Sequence, residues 1–151
     1  MEIEQVLNEN LINLELKAKT KVEAIRELIE MLYQEGKVSD RDLFLQDVYA
    51  REAEGRTGLG KHLAIPHGKS DAVAVTSIAI GRTAHDLAWE SLDDKPVHMV
   101  ILFAVRKEDK TKLHLRLLGQ VAYALADEEI LEQLLMTKDK KEIIALLARN
   151  E

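Results

Sequence analysis

Residues 97–105 read Val-His-Met-Val-Ile-Leu-Phe-Ala-Val, an apolar run interrupted only by His98. It is far shorter than the roughly 20 residues that cross a bilayer. A strand apolar on both faces has to be covered on both, so this run predicts a central strand with helices on either side. The rest of the chain supplies the cover. Ile3, Val6 and Leu7 predict a short opening helix. Leu14, Leu16 and Ala18 alternate with Glu15 and Lys17 as in a half-buried strand. Thr20-Lys21-Val22-Glu23 has the form of a capping box. The helix behind it carries Val22, Ile25, Leu28, Ile29 and Leu32 on one stripe and stops at Gly36. Ser39 is expected to open another helix, with Phe44 and Val48 inward and Arg51-Glu52 near its end. Residues 73–80 read as a strand closed by Gly81. Three helical patterns follow, at 113–125, 128–136 and 140–148, with Asp127 and Asp139 as N-caps of the last two. No linker, repeat or low-complexity segment divides residues 1–151. The expected fold is a single-domain α/β sandwich, a central mixed β-sheet flanked by helices. Strand order does not follow from the pattern.

Composition narrows the function. The chain has no cysteine, which removes disulfides, cysteine nucleophiles and thiolate metal sites, and suits a reducing cytoplasm. Its formal net charge of −6 argues against nucleic acid, which is recognised by basic surface. The opening MEIEQVLNEN holds no basic segment followed by an apolar one, so no signal peptide is read and a cytoplasmic location without membrane insertion is expected. The pattern fits a free-standing protein and a domain of a longer permease equally well.

The segment richest in chemistry runs from Gly58 to Ser70. Leu63-Ala64-Ile65 reads as a strand between glycine-rich turns, halted by Pro66, which lacks a backbone donor. His67 follows, then Gly68, so a histidine is expected where the backbone leaves a buried strand, a common place for ligands. Nucleotide motifs fail nearby. Gly68-Lys69-Ser70 resembles the end of a phosphate-binding loop, and Gly58-Leu59-Gly60 the start of a dinucleotide fingerprint, but both require a glycine at the position of Leu63. His62 and His67 should point to opposite faces of a strand, and no zinc helix is present, so neither cofactor nor metal is expected.

Histidine chemistry remains. A neutral imidazole can accept a phosphoryl group, and transfer needs donors around the moving oxygens. Arg51 lies at a helix end just before the glycine turn. His114 shares a helix stripe with Leu117, Leu118, Val121 and Leu125 and should point toward the sheet. His62 is expected at the surface, His98 packed in the buried strand, and His85 in a polar loop. The charged run 106–112 is expected to be a solvated loop.

The strings Arg51-Glu52, Thr57-Gly58-Leu59-Gly60 and Leu63-Ala64-Ile65-Pro66-His67-Gly68-Lys69, with His114-Leu115-Arg116-Leu117-Leu118 downstream, resemble the IIA domains of the fructose/mannitol class of the bacterial phosphoenolpyruvate-dependent sugar phosphotransferase system. The resemblance extends over nearly the whole chain. It implies that His67 takes a phosphoryl group from phosphorylated HPr and hands it to a cysteine of a fructose-type IIB domain, which phosphorylates the sugar during uptake. It further implies that His114 orients or stabilises the moving group, that Arg51 stabilises it, and that Thr57 either joins them or only shapes the turn. The chain departs from the family pattern at Val105-Arg106-Lys107, where proline is common, and at Arg56, where serine is common; both lie toward the expected partner face. A regulatory protein of the nitrogen-related branch, using the same phosphohistidine to control partner proteins, is the alternative.

Overall fold

The computed structural model describes residues 3–109 and 111–149. In chain order the elements are α1 (Ile3–Val6), a single 3-10 turn (Glu9–Leu11), β1 (Ile12–Asn13), α2 (Lys21–Gln34), α3 (Arg41–Glu52), β2 (Gly58–Gly60), β3 (Leu63–Ala64), β4 (His67–Ser70), β5 (Ser77–Leu87), β6 (Val97–Arg106), α4 (Thr111–Leu125), α5 (Glu128–Met136) and α6 (Lys140–Leu147). The strands form one mixed sheet in the order β1-β5-β6-β3-β2, with β4 also paired to β6. β6 is the axis: β5 runs antiparallel to it on one side, β3 and β4 parallel on the other. Its residues 99–105 are essentially inaccessible, as a strand covered on both faces must be.

The helix signals hold in detail. Thr20 accepts the Glu23 amide at 3.1 Å. The Glu23 carboxylate returns to the amide of Lys19, one residue before the cap, at 2.9 Å. Asp127 and Asp139 cap α5 and α6. Gly36 follows α2 in the left-handed region at φ 73°, which favours glycine. Two helix details differ. Val22 is 43% exposed rather than on the buried stripe, whose place in the first turns is taken by Ala24 and Ile25. The cap of α3 is Asp40, whose carboxylate accepts the Leu43 amide; Ser39 is instead tied by its amide and hydroxyl to the Ala72 carbonyl.

The strand boundaries shift more. Leu16 and Ala18 are buried as their alternation implies, but only Ile12–Asn13 pairs as a strand. Beyond it a single bond, from the Leu16 amide to the Arg82 carbonyl, reaches the sheet. β5 begins at Ser77 rather than residue 73 and runs through Gly81 to Leu87. Gly81 does not end the strand; its missing side chain makes room for Leu16, whose Cδ1 would lie 2.5 Å from an added Cβ. Three of the lesser histidines are also placed differently. His85 sits on β5 rather than in a loop. His62 is half-buried, with Nδ1 2.8 Å from the Pro96 carbonyl. His98 is half-buried too; it stacks on His62 at 4.7 Å between ring centroids, and its Nε2 lies 2.7 Å from Asp86 Oδ1. Of the charged run, Arg106 ends β6 and pairs with Asp109, so its start is ordered by an ion pair.

Candidate phosphoryl site around His67

The local backbone departs from the expectation of a strand that ends at Pro66. The register of β3 against β6, Leu63 to Met99, is unchanged in β4, where His67 pairs with Phe103. The chain therefore resumes along β6 rather than leaving the sheet. Pro66 breaks the ladder for two residues because it has no N–H to give. Its own carbonyl still accepts the Phe103 amide at 3.0 Å. The break frees the Ile65 carbonyl, which lies 3.1 Å from His67 Nδ1. A carbonyl oxygen only accepts, so Nδ1 carries the proton and Nε2 is left with the lone pair.

Alternation along β4 sets the rest. His67 and Lys69 share one face, and Gly68 and Ser70 the other. On that other face Gly68 lies against α3: an added Cβ would be 2.9 Å from Val48 Cγ2 and 3.0 Å from Phe44 Cε1. On the His67 face, α4 brings His114 edge-on to the His67 ring, with centroids 5.0 Å apart. Phe103 lies beneath His114 at 6.2 Å. The two imidazoles, Arg51 and Lys69 open onto a cavity of about 350 Å³, with Asp47 on α3 and Glu54 just past its end also lining it. His114 Nε2 is buried with no hydrogen-bond partner, a donor or acceptor waiting for one.

Electrostatics keep both rings neutral. Burial lowers the His67 pKa, and Arg51 pushes the same way against the Ile65 bond and the carboxylates of Glu52 and Glu54. His114 is pushed down to about 4, first by burial and then by the neighbouring His67, Lys69 and Arg51. A neutral His67 with a free Nε2 is a nucleophile, and Arg51 with Lys69 supplies positive charge for an anionic group added to it.

Thr57 stands apart from this cavity. Its hydroxyl lies 2.7 and 2.9 Å from the two oxygens of Glu52 and accepts the Trp89 indole N–H at 3.1 Å. Lys21 completes the cluster, 2.7 Å from Glu52 and over the Trp89 ring at 5.0 Å. Glu52 is the residue after Arg51, so this cluster pins the end of the helix that delivers Arg51. Sequence reasoning paired Arg51 with Glu52 without seeing that contact, and Lys21 and Trp89 carry no local signal for it. Lys69 was legible: two residues beyond His67 on a strand, it has to share its face.

Comparison with known proteins places the chain in a family. Residues 5–150 match the family model for the phosphoenolpyruvate-dependent sugar phosphotransferase system, EIIA 2. The chain belongs to that family. An EIIA 2 chain is a component of a system that moves phosphoryl groups between proteins. This one is 36% identical over 141 residues to the fructose-specific EIIA component of Haloferax volcanii, covering 91% of this chain and 89% of that protein. It is 33% identical over 151 residues to the fructose-specific EIIABC component of Bacillus subtilis, covering all of this chain but only 24% of that much longer protein. Among solved structures, the complex of IIA mannitol with phosphorylated IIB mannitol from Escherichia coli matches with a TM-score of 0.78 and 30% identity over 94% of this chain and 96% of that one. The nitrogen regulatory protein IIA-Ntr of Neisseria meningitidis matches with a TM-score of 0.86 and 29% identity over 95% and 97%. No helix among the described residues is long and apolar enough to cross a membrane.

Proposed function

We propose that this EIIA 2 chain is the phosphocarrier of a fructose-type sugar uptake system, with His67 as the residue that carries the phosphoryl group. The observation that carries the reading is the His67 ring itself. It is neutral, held by Nδ1–H on the Ile65 carbonyl, and its Nε2 is free to react beside Arg51 and Lys69. In the first step the Nε2 lone pair attacks the phosphorus of phosphorylated HPr; an N–P bond forms on His67 as the bond to HPr breaks. In the second, a cysteine thiolate of a IIB domain attacks the same phosphorus; an S–P bond forms and the electron pair returns to Nε2. His114 and Arg51 are positioned to hold the oxygens during both steps, and Thr57 acts at a distance, through Glu52. The greater identity to the fructose-specific components than to the nitrogen regulatory proteins, 33–36% against 26–29%, favours uptake over regulation.

The test is labelling. Purified protein incubated with phosphoenolpyruvate, enzyme I and HPr should gain one acid-labile, base-stable phosphoryl group, and His67→Ala should gain none. Normal labelling of His67→Ala would overturn the assignment.

A further inference from the structure

A second cavity, of about 600 Å³, lies away from His67, between the turn after β1, the middle of β5 and the α5–α6 junction. Arg82 reaches it from β5. Arg82 pairs with Met99 of β6 whereas His67 pairs with Phe103, four residues and about 13 Å further along that strand. The cavity is lined by three cations, Arg82, Lys138 and Lys140, in a chain whose net charge is −6. Against them stands one carboxylate, Glu15, at the exposed rim. His98 also lines the wall, but its Nε2 is engaged by Asp86.

Arg82 is the unusual member. Its guanidinium is half-buried, yet no carboxylate pairs with it among the described residues. Burial alone acts on its pKa, downward, with no opposing anion. One donor, Nη1, is satisfied by the Leu134 carbonyl at 2.7 Å, which fixes the fork in place and leaves its remaining N–H groups for the cavity. A half-buried, oriented and uncompensated guanidinium costs stability unless an anion meets it. Planar forks of this kind suit phosphate, the two lysines add point charges, and the volume lies in the range of small-molecule sites.

We propose that this cavity binds a small phosphorylated sugar, its phosphate on Arg82, Lys138 and Lys140 and its sugar against Leu14, Thr83 and Leu135. It is a second site, separate from the phosphoryl-carrying face and independent of what His67 does.

The proposal is tested by titrating isotopically labelled full-length protein with a hexose 6-phosphate, with inorganic phosphate and with the parent hexose, at constant ionic strength, and following backbone amide resonances. The hexose 6-phosphate should shift the amides of Leu14, Thr83 and Lys138 saturably and more tightly than inorganic phosphate; the neutral hexose should do nothing. The double variant Lys138→Glu/Lys140→Glu, confined to the cavity rim, should weaken binding at least tenfold while the other resonances stay in place. Arg82→Gln, which removes the charge and the fork, should do the same. Shifts clustered around His67 and Lys69, non-saturating shifts, or undiminished binding in the rim variant would overturn it. Equal affinity for inorganic phosphate would reduce the site to an ion site and overturn the sugar assignment.

Discussion

At the residue scale the site rests on two depressed histidines, and the sign of their pH dependence is fixed. In the unfolded chain a histidine titrates near 6.5. In the fold His114 holds off its proton down to about 4. Between these values the unfolded chain binds more protons, so stability falls as pH falls through that window and is constant above it. We expect the denaturant midpoint to drop from pH 7 toward pH 4.5, and His114→Gln to flatten that slope; an unchanged slope would overturn the depressed titration of His114. The same substitution should slow transfer more than tenfold, on the scale of losing one oriented donor. The acceptance rate should stay level from pH 8 down past 6.5, because His67 too is held below its ordinary value.

At the scale of elements, the site depends on how closely α3 approaches β4. That approach is possible because residue 68 has no side chain. Gly68→Ala would place a methyl within 3.0 Å of Val48 and Phe44, both fully buried and unable to swing away. Overpacking of this kind costs about 1–3 kcal/mol. Here it would also separate the Arg51 helix from the His67 strand. Chemical denaturation should show the loss of stability, and single-turnover labelling should show slower acceptance even where the variant is fully folded. The Lys21–Glu52–Thr57–Trp89 cluster works in the same direction from the other end of α3, tying the start of α2 and the start of β2 to the turn that follows Arg51. Arg51 is thus held between a glycine contact along the helix and an ion pair at its end.

For the whole molecule, the proposed phosphocarrier reading puts the accepting thiolate outside these 151 residues, which hold no cysteine. On the proposed reading, discharge occurs on a IIB domain, across a face where exposed Leu115 stands next to His114 on α4 and Arg106 and Lys107 lie at the end of β6. Carriers that meet and part suit a small apolar centre with charged residues steering at the rim. Phosphorylated protein should lose its label within seconds to a cognate fructose-type IIB and keep it when the IIB cysteine is replaced by serine. Retention against every IIB of the host would favour the regulatory reading instead.

Much of this was local and therefore legible. Caps at Thr20, Asp127 and Asp139 and the glycine after α2 are decided by contacts within a few residues, the apolar run of β6 shows in its own composition, and the contact of His67 with the Ile65 carbonyl spans only two residues. What failed were boundaries set by distant partners. Leu16 alternates like a strand residue but has almost no ladder to join. Gly81 looks like a terminator and is a socket for Leu16. Pro66 reads as an end, yet the strand resumes in register because β6 continues alongside it. The pairing of His67 with His114, the anchoring of Glu52 by Lys21 and Trp89, and the gathering of Arg82, Lys138 and Lys140 around one cavity join residues far apart in the chain. Sequence spacing bears on none of them, because which side chains meet across a sheet depends on strand order and register, and those are settled only when the helices close over both faces of β6.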